Sequence, residues 1–181
     1  MQLRLLLGGF LGWVLYPLWL IGGAVDYVCH RRTDIQHTSG IRESWLHVAQ
    51  FATMALFLAS AVLLQITLAV IIMLVALVLT HTVLSFIDVS YTLGRRHIST
   101  TEQHAHGLLN VVPLIAVGLL AILNWETLLA PSTDAVARLK DEPLAATHVA
   151  MLLGSFSVLA GGPVFEEWLR TYRARLNVSE R

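Results

Sequence analysis

The chain has 181 residues, of which 56% are hydrophobic and 13% charged, and its mean hydropathy is +0.68. A soluble domain is about a quarter charged, so this balance excludes an ordinary water-soluble globular protein and implies an integral membrane protein. Twelve basic and twelve acidic residues leave a formal charge of zero, which gives no argument for a nucleic-acid partner, and the lone Cys29 excludes an internal disulfide.

A bilayer core about 30 Å thick needs about 20 apolar residues in a helix. Five segments meet that length and predict an all-α bundle forming a single domain over 1–181. The spans are expected at about 5–29, 43–64, 67–93, 101–125 and 146–168. The first, following Arg4, has the charge and apolar run of a signal peptide. It is too long for one and lacks a small-x-small cleavage site, so it is expected to remain as a helix. Spans two and three are one apolar run, with the turn expected near Leu64 to Thr67, where Gln65 interrupts it. Span five carries the helix-perturbing Gly161-Gly162-Pro163.

Lysine and arginine in short loops set orientation. With the loop at 30–44 on the cytoplasmic side, that side holds Arg31, Arg32, Arg42, Arg95, Arg96, Arg170, Arg173, Arg175 and Arg181. Arg4, Arg138 and Lys140 lie opposite. The N-terminus is therefore expected outside and the C-terminus in the cytoplasm, in the cytoplasmic (inner) membrane of a bacterium.

The acids and histidines fall into a pattern on that topology. Asp26 and His30 end span one, Glu43 and His47 begin span two, and Glu102 and His106 begin span four, each pair four residues apart. Residues at that offset share a helix face. His81 and Asp88 in span three are seven apart, two turns on one face. Four helices thus each present an acid and a histidine at the cytoplasmic ends of the bundle. His81 lies about 10 Å deeper than Asp88, where a polar side chain is costly and normally has a purpose.

Carboxylate with neutral imidazole suits iron, manganese or zinc, and eight such groups fit two metal ions better than one. At this level the four pairs resemble the di-iron carboxylate helical-bundle proteins. Those carry Glu-x-x-His pairs three apart and fewer histidines, and the resemblance covers only the ligand pairs. It implies a dinuclear site, with iron expected and manganese or zinc as alternatives, held by Asp26, His30, Glu43, His47, His81, Asp88, Glu102 and His106. The expected function is a membrane metalloenzyme that oxidises, hydroxylates or desaturates a lipid or other apolar substrate, with an electron-donor protein as partner and no nucleic acid. A zinc-dependent lipid hydrolase, using Ser44 beside Glu43, is the closest alternative. A metal transporter or sensor, or a structural subunit, stands further off.

Other residues have narrower readings. Ser99-Thr100-Thr101-Glu102 is a capping box, with Ser99 as N-cap. His37, His97 and His104 are expected in loops or behind the ligands, and His104 points about 160° away from Glu102 and His106. Glu166 is a reserve ligand, Asp34 and Glu167 could support ligands from behind, and Tyr91 is placed to reach a metal-bound group. Arg32 and Arg96 are candidates for a lipid headgroup.

Overall fold

In the computed structural model, which describes residues 2–129 and 137–179, every regular element is helical. Five helices are long and apolar enough to cross a membrane: α1 (Gln2–Arg32), α2 (Ile41–Leu63), α3 (Leu68–Thr92), α4 (Thr100–Leu123) and α6 (Ala146–Asn177). A short helix, α5 (Trp125–Leu129), follows α4. Arg181 and residues 130–136 of the loop before α6 lie outside the described residues.

The helices close into a ring in which α1 packs on α4, α4 on α3, α3 on α2, α2 on α6, and α6 back on α1. The outer surface is apolar, with Leu6, Trp13, Ile72, Leu79, Phe86 and Leu114 exposed. Hydrocarbon, not water, suits such a surface.

The interior changes character along its length. On α3 the buried stripe runs Val70, Leu74, Val78, His81, Ser85, Asp88, Thr92, three or four residues apart throughout. Its first three members belong to the apolar core with Met54, Phe57 and Val62 of α2 and Val112 and Val117 of α4. Its last four are polar. α2 makes the same change in the opposite chain direction, from Glu43, Ser44 and His47 to Met54, Phe57 and Leu58. Antiparallel neighbours thereby bring their polar ends to one end of the bundle.

The turn between α2 and α3 falls where expected. Thr67 caps α3 by accepting from the Val70 amide. Lys140 reaches this turn from the loop before α6 and donates to the Ala61 and Val62 carbonyls at 2.8 Å, satisfying acceptors that the end of α2 leaves free.

Two segments widen to π-helix, Leu11–Leu15 in α1 and Ser157–Gly161 in α6. Each ends two residues before a proline, Pro17 and Pro163. A proline has no amide hydrogen and its ring crowds the carbonyl four residues back. A wider turn moves that carbonyl aside and lets the helix continue. α6 therefore passes through Gly161-Gly162-Pro163 without breaking. A Cβ at Gly161 would lie 2.9 Å from Phe51 Cζ, so α2 and α6 approach closely there.

Candidate metal centre

Each of the four helices that begin or end at the polar end contributes a side chain, and α6 adds a fifth. Asp26 and His30 enter from the last turns of α1, Glu43 and His47 from the first turns of α2, Asp88 from α3, and Glu102 and His106 from the start of α4. Glu43 and Glu102 are wholly buried, and His30 and Asp88 are each 2% exposed.

Glu167 of α6 organises the two central imidazoles. Its Oε2 lies 2.8 Å from His30 Nδ1, and its Oε1 lies 2.6 Å from His47 Nδ1 and accepts from Ser44 Oγ at 3.1 Å. An ionised carboxylate only accepts, so both Nδ1 atoms carry hydrogen; a neutral ring then keeps its lone pair on Nε2, and His47 Nε2 lies within hydrogen-bond distance of the Asp88 carboxylate. The rings stack with centroids 4.4 Å apart and planes within 4°.

The two Nε2 atoms face the other acids. His30 Nε2 is 3.5 Å from Asp26 Oδ1 and 3.5 Å from Glu102 Oε1, and His106 Nε2 is 3.0 Å from the same Asp26 oxygen. Yet neither His30 Nε2 nor Asp26 Oδ1 makes a hydrogen bond. Atoms bound to one metal at about 2.0–2.2 Å stand roughly 3.0–3.5 Å apart without being aligned for hydrogen bonds. These three distances match that spacing, and the donor atoms of Asp26, His30, Glu102 and His106 all lie within 4.8 Å of one another. His47 Nε2 lies 3.2 Å from Asp88 Oδ2 and 3.9 Å from Glu43 Oε1. Among the described residues, two groups can hold a metal ion on distance: Asp26, His30, Glu102 and His106, and His30, Glu43 and His47.

His81 belongs to neither group. It is 4% exposed and lines a cavity with Asp26, His30 and His47. The Gln50 main-chain carbonyl lies near its imidazole, but neither ring nitrogen is aligned for a good hydrogen bond.

Arg96 corrects the headgroup reading. Its side chain is only 2% exposed and bridges the two wholly buried glutamates, with Nη2 2.5 Å from both Glu43 Oε1 and Glu102 Oε1. Gly94, at φ +82°, turns the chain just before it, and the Arg95 amide closes the turn on the Thr92 carbonyl at 2.9 Å. Burial works against the charge, but hydrogen bonds to Glu102 and Glu43 outweigh it and raise the guanidinium further. The same contact revises the capping box. Ser99 Oγ accepts from the Glu102 amide at 3.2 Å, while the Glu102 carboxylate turns to Arg96 instead of back to Ser99.

The reserve residues also move. Glu166 accepts from Tyr27 and Arg31 at 2.8 Å and from Arg170 at 3.3 Å, on the outside of the bundle. Its neighbour Glu167 faces inward. Tyr91 donates to the Ser39 carbonyl at 3.0 Å and carries the Arg95 guanidinium on its ring, so it does not reach the centre. His37 pairs with Asp34 on the surface, His97 is exposed, and His104 donates along its own helix to the Thr100 carbonyl at 2.7 Å. Arg32 is exposed at the end of α1. Ser44 is wholly buried, giving its hydrogen to Glu167 and accepting from Thr171, which leaves no free hydroxyl for hydrolysis.

Comparison with protein families, characterised proteins and solved structures finds no match for the chain.

Proposed function

We propose that the chain is a membrane-embedded metalloenzyme in which Asp26, His30, Glu43, His47, Asp88, Glu102 and His106 hold two metal ions. Iron is the first choice, with manganese and zinc as alternatives. On this reading the enzyme oxidises, hydroxylates or desaturates a lipid or other apolar molecule, the metal ions supply the redox chemistry, and an electron-donor protein reduces them. The arginine bias supports a site on the cytoplasmic side with the N-terminus outside, and on this reading the membrane is a bacterial inner membrane.

The observation that carries this is the pair of imidazoles tethered through Nδ1 to one carboxylate. Metal-bound histidines usually donate their second nitrogen in this way, which fixes the tautomer and aims the free lone pair. Charge points the same way. Asp26, Glu43, Asp88, Glu102 and Glu167 surround the site with Arg96 as the only permanent cation among the described residues there. Four negative charges are left over, and two divalent ions neutralise them. The alternative is to protonate the histidines, which sets two imidazolium rings face to face at 4.4 Å in a site where like charges repel strongly.

A zinc hydrolase uses the same donors and differs in the reaction. The locked Ser44 weighs against its serine-assisted form. A transporter would need polar groups across the bundle, whereas the opposite half of the core is Val70, Leu74, Met54, Phe57 and Val117. Elemental analysis of protein purified from its native membrane distinguishes these readings. Iron or manganese supports the oxidase, zinc supports the hydrolase, and an absence of bound metal overturns both.

A further inference from the structure

Beside the centre lies a cavity of about 100 Å³ whose partly exposed walls are Leu20, Gly23 and Tyr27 of α1 and Ala160, Pro163 and Val164 of α6. Stacked rings close its inner end, Phe51 on Phe156 at 5.2 Å and Phe156 on Trp19 at 5.1 Å. The wall is apolar except where it meets the centre and at Tyr27, Gln50, Trp19 and His81, and the buried Gln50 Nε2 is also without a partner. Trp19 is 6% exposed with its Nε1–H unpartnered, and His81 is 4% exposed with the Gln50 main-chain carbonyl nearby but neither ring nitrogen in an aligned hydrogen bond.

Both residues sit seven positions from a carboxylate of the centre, Trp19 before Asp26 on α1 and His81 before Asp88 on α3. Seven residues are two helical turns, about 10 Å. The two unpartnered groups therefore form a polar step at one depth, below the centre and lining the same cavity. Buried polar groups are ordinarily satisfied, and leaving one without a partner costs about 1–3 kcal/mol. An indole N–H only donates, while an imidazole can donate or accept. Their common partner is an oxygen atom.

The cavity has room for about three or four water-sized groups, enough for a head and a few carbons but not for a long chain. The rest of such a molecule would extend between α1 and α6 into the bilayer. We propose that this cavity is the substrate site, and that it takes a long straight-chain molecule bearing an oxygen near one end, held by Trp19 Nε1–H and His81. This rests on reading the neighbouring cluster as an oxidising metal centre. It sets the carbons within a few bonds of that oxygen beside His30 and His47.

Binding is tested on metal-loaded protein in one fixed detergent, with 1-dodecanol and dodecane as probes and thermal stability as the readout. Wild type is expected to be stabilised by 1-dodecanol and not by dodecane. Trp19→Phe keeps a ring against Phe156 and removes the N–H, and the apparent Kd for 1-dodecanol is expected to weaken about tenfold. Detergent uptake of each probe is common to both proteins and cancels in the comparison. Equal stabilisation of wild type by the two probes overturns the proposal without needing the variant, and an unchanged Kd in Trp19→Phe overturns the role of the indole. Metal content is measured on the same samples. Retained metal without discrimination between probes contradicts the substrate assignment alone, whereas discrimination without bound metal contradicts the metal centre alone.

Discussion

The imidazole of His30 lies flat on that of His47, 4.4 Å away, and the two donate through Nδ1 to opposite oxygens of Glu167. One carboxylate of α6 thus holds the Nδ1–H groups of histidines on α1 and α2. Its replacement by glutamine separates that role from bulk. A glutamine oxygen can accept from one Nδ1–H, but its NH₂ group faces the other nitrogen and favours the tautomer protonated at Nε2. That ring then loses its metal-facing lone pair. Glu167→Gln is expected to weaken metal binding about 10- to 100-fold, read by chelator competition, while the helical content by circular dichroism is retained.

Glu166 stands one residue away and serves a different function. Its partners Tyr27, Arg31 and Arg170 are on the outer side, and its own side chain is 42% exposed. Pairs exposed to this degree contribute at most about 1 kcal/mol. Glu166→Gln is expected to keep full metal content and to lower stability only slightly. A loss of metal comparable to that of Glu167→Gln would contradict the inward and outward assignment of the two neighbours.

Arg96 couples the loop before α4 to the centre. Its removal leaves Glu43 and Glu102, both wholly buried, facing each other without a cation. Breaking a buried pair from one side costs about 3–5 kcal/mol, so metal-free Arg96→Met is expected to be strongly destabilised in chemical denaturation. Metal ions supply replacement charge, and the deficit is expected to shrink when the variant is loaded with metal. A deficit of equal size with and without metal would mean that Glu43 and Glu102 take no part in binding.

The α2 and α6 contact can be tested away from the charges. A methyl group at Gly161 meets Phe51 Cζ at 2.9 Å, and Phe51 is itself stacked on Phe156 within 7°. The ring has little room to yield, so Gly161→Ala is expected to cost about 1–3 kcal/mol through overpacking, measured by denaturant unfolding. Because this contact also forms the inner wall of the cavity, 1-dodecanol binding is expected to change in parallel.

Much of this arrangement is readable in the chain. The apolar runs mark five helices, and the offset of four in Asp26 and His30, Glu43 and His47, and Glu102 and His106 places each pair on one helix face. The limits of that reading have physical causes. Helix α6 before Glu166 is mostly apolar, with Thr147, His148, Ser155 and Ser157 forming no single stripe, so the sequence does not say whether Glu166 or Glu167 faces inward. The buried Phe156 and Thr171, eleven before and four after, share a face with Glu167, but that phase is evident only once burial is known. Arg96 reads as one more loop arginine that sets topology. Its place between Glu43 and Glu102 depends on the turn at Gly94 and on the meeting of two helix starts that are 59 positions apart in sequence. His81 has the correct phase relative to Asp88, and its depth moves it out of the ligand group and into the cavity wall.

The central claim is a dinuclear metal centre, and its most direct test is an anaerobic titration of metal-depleted, folded protein with Fe(II), following bound iron per chain. The expected result is saturable binding that breaks at two ions per chain and falls to about one or fewer in the double variant Glu43→Gln/His47→Ala. Absence of saturable binding, with Mn(II) and Zn(II) equally unbound, would contradict the account.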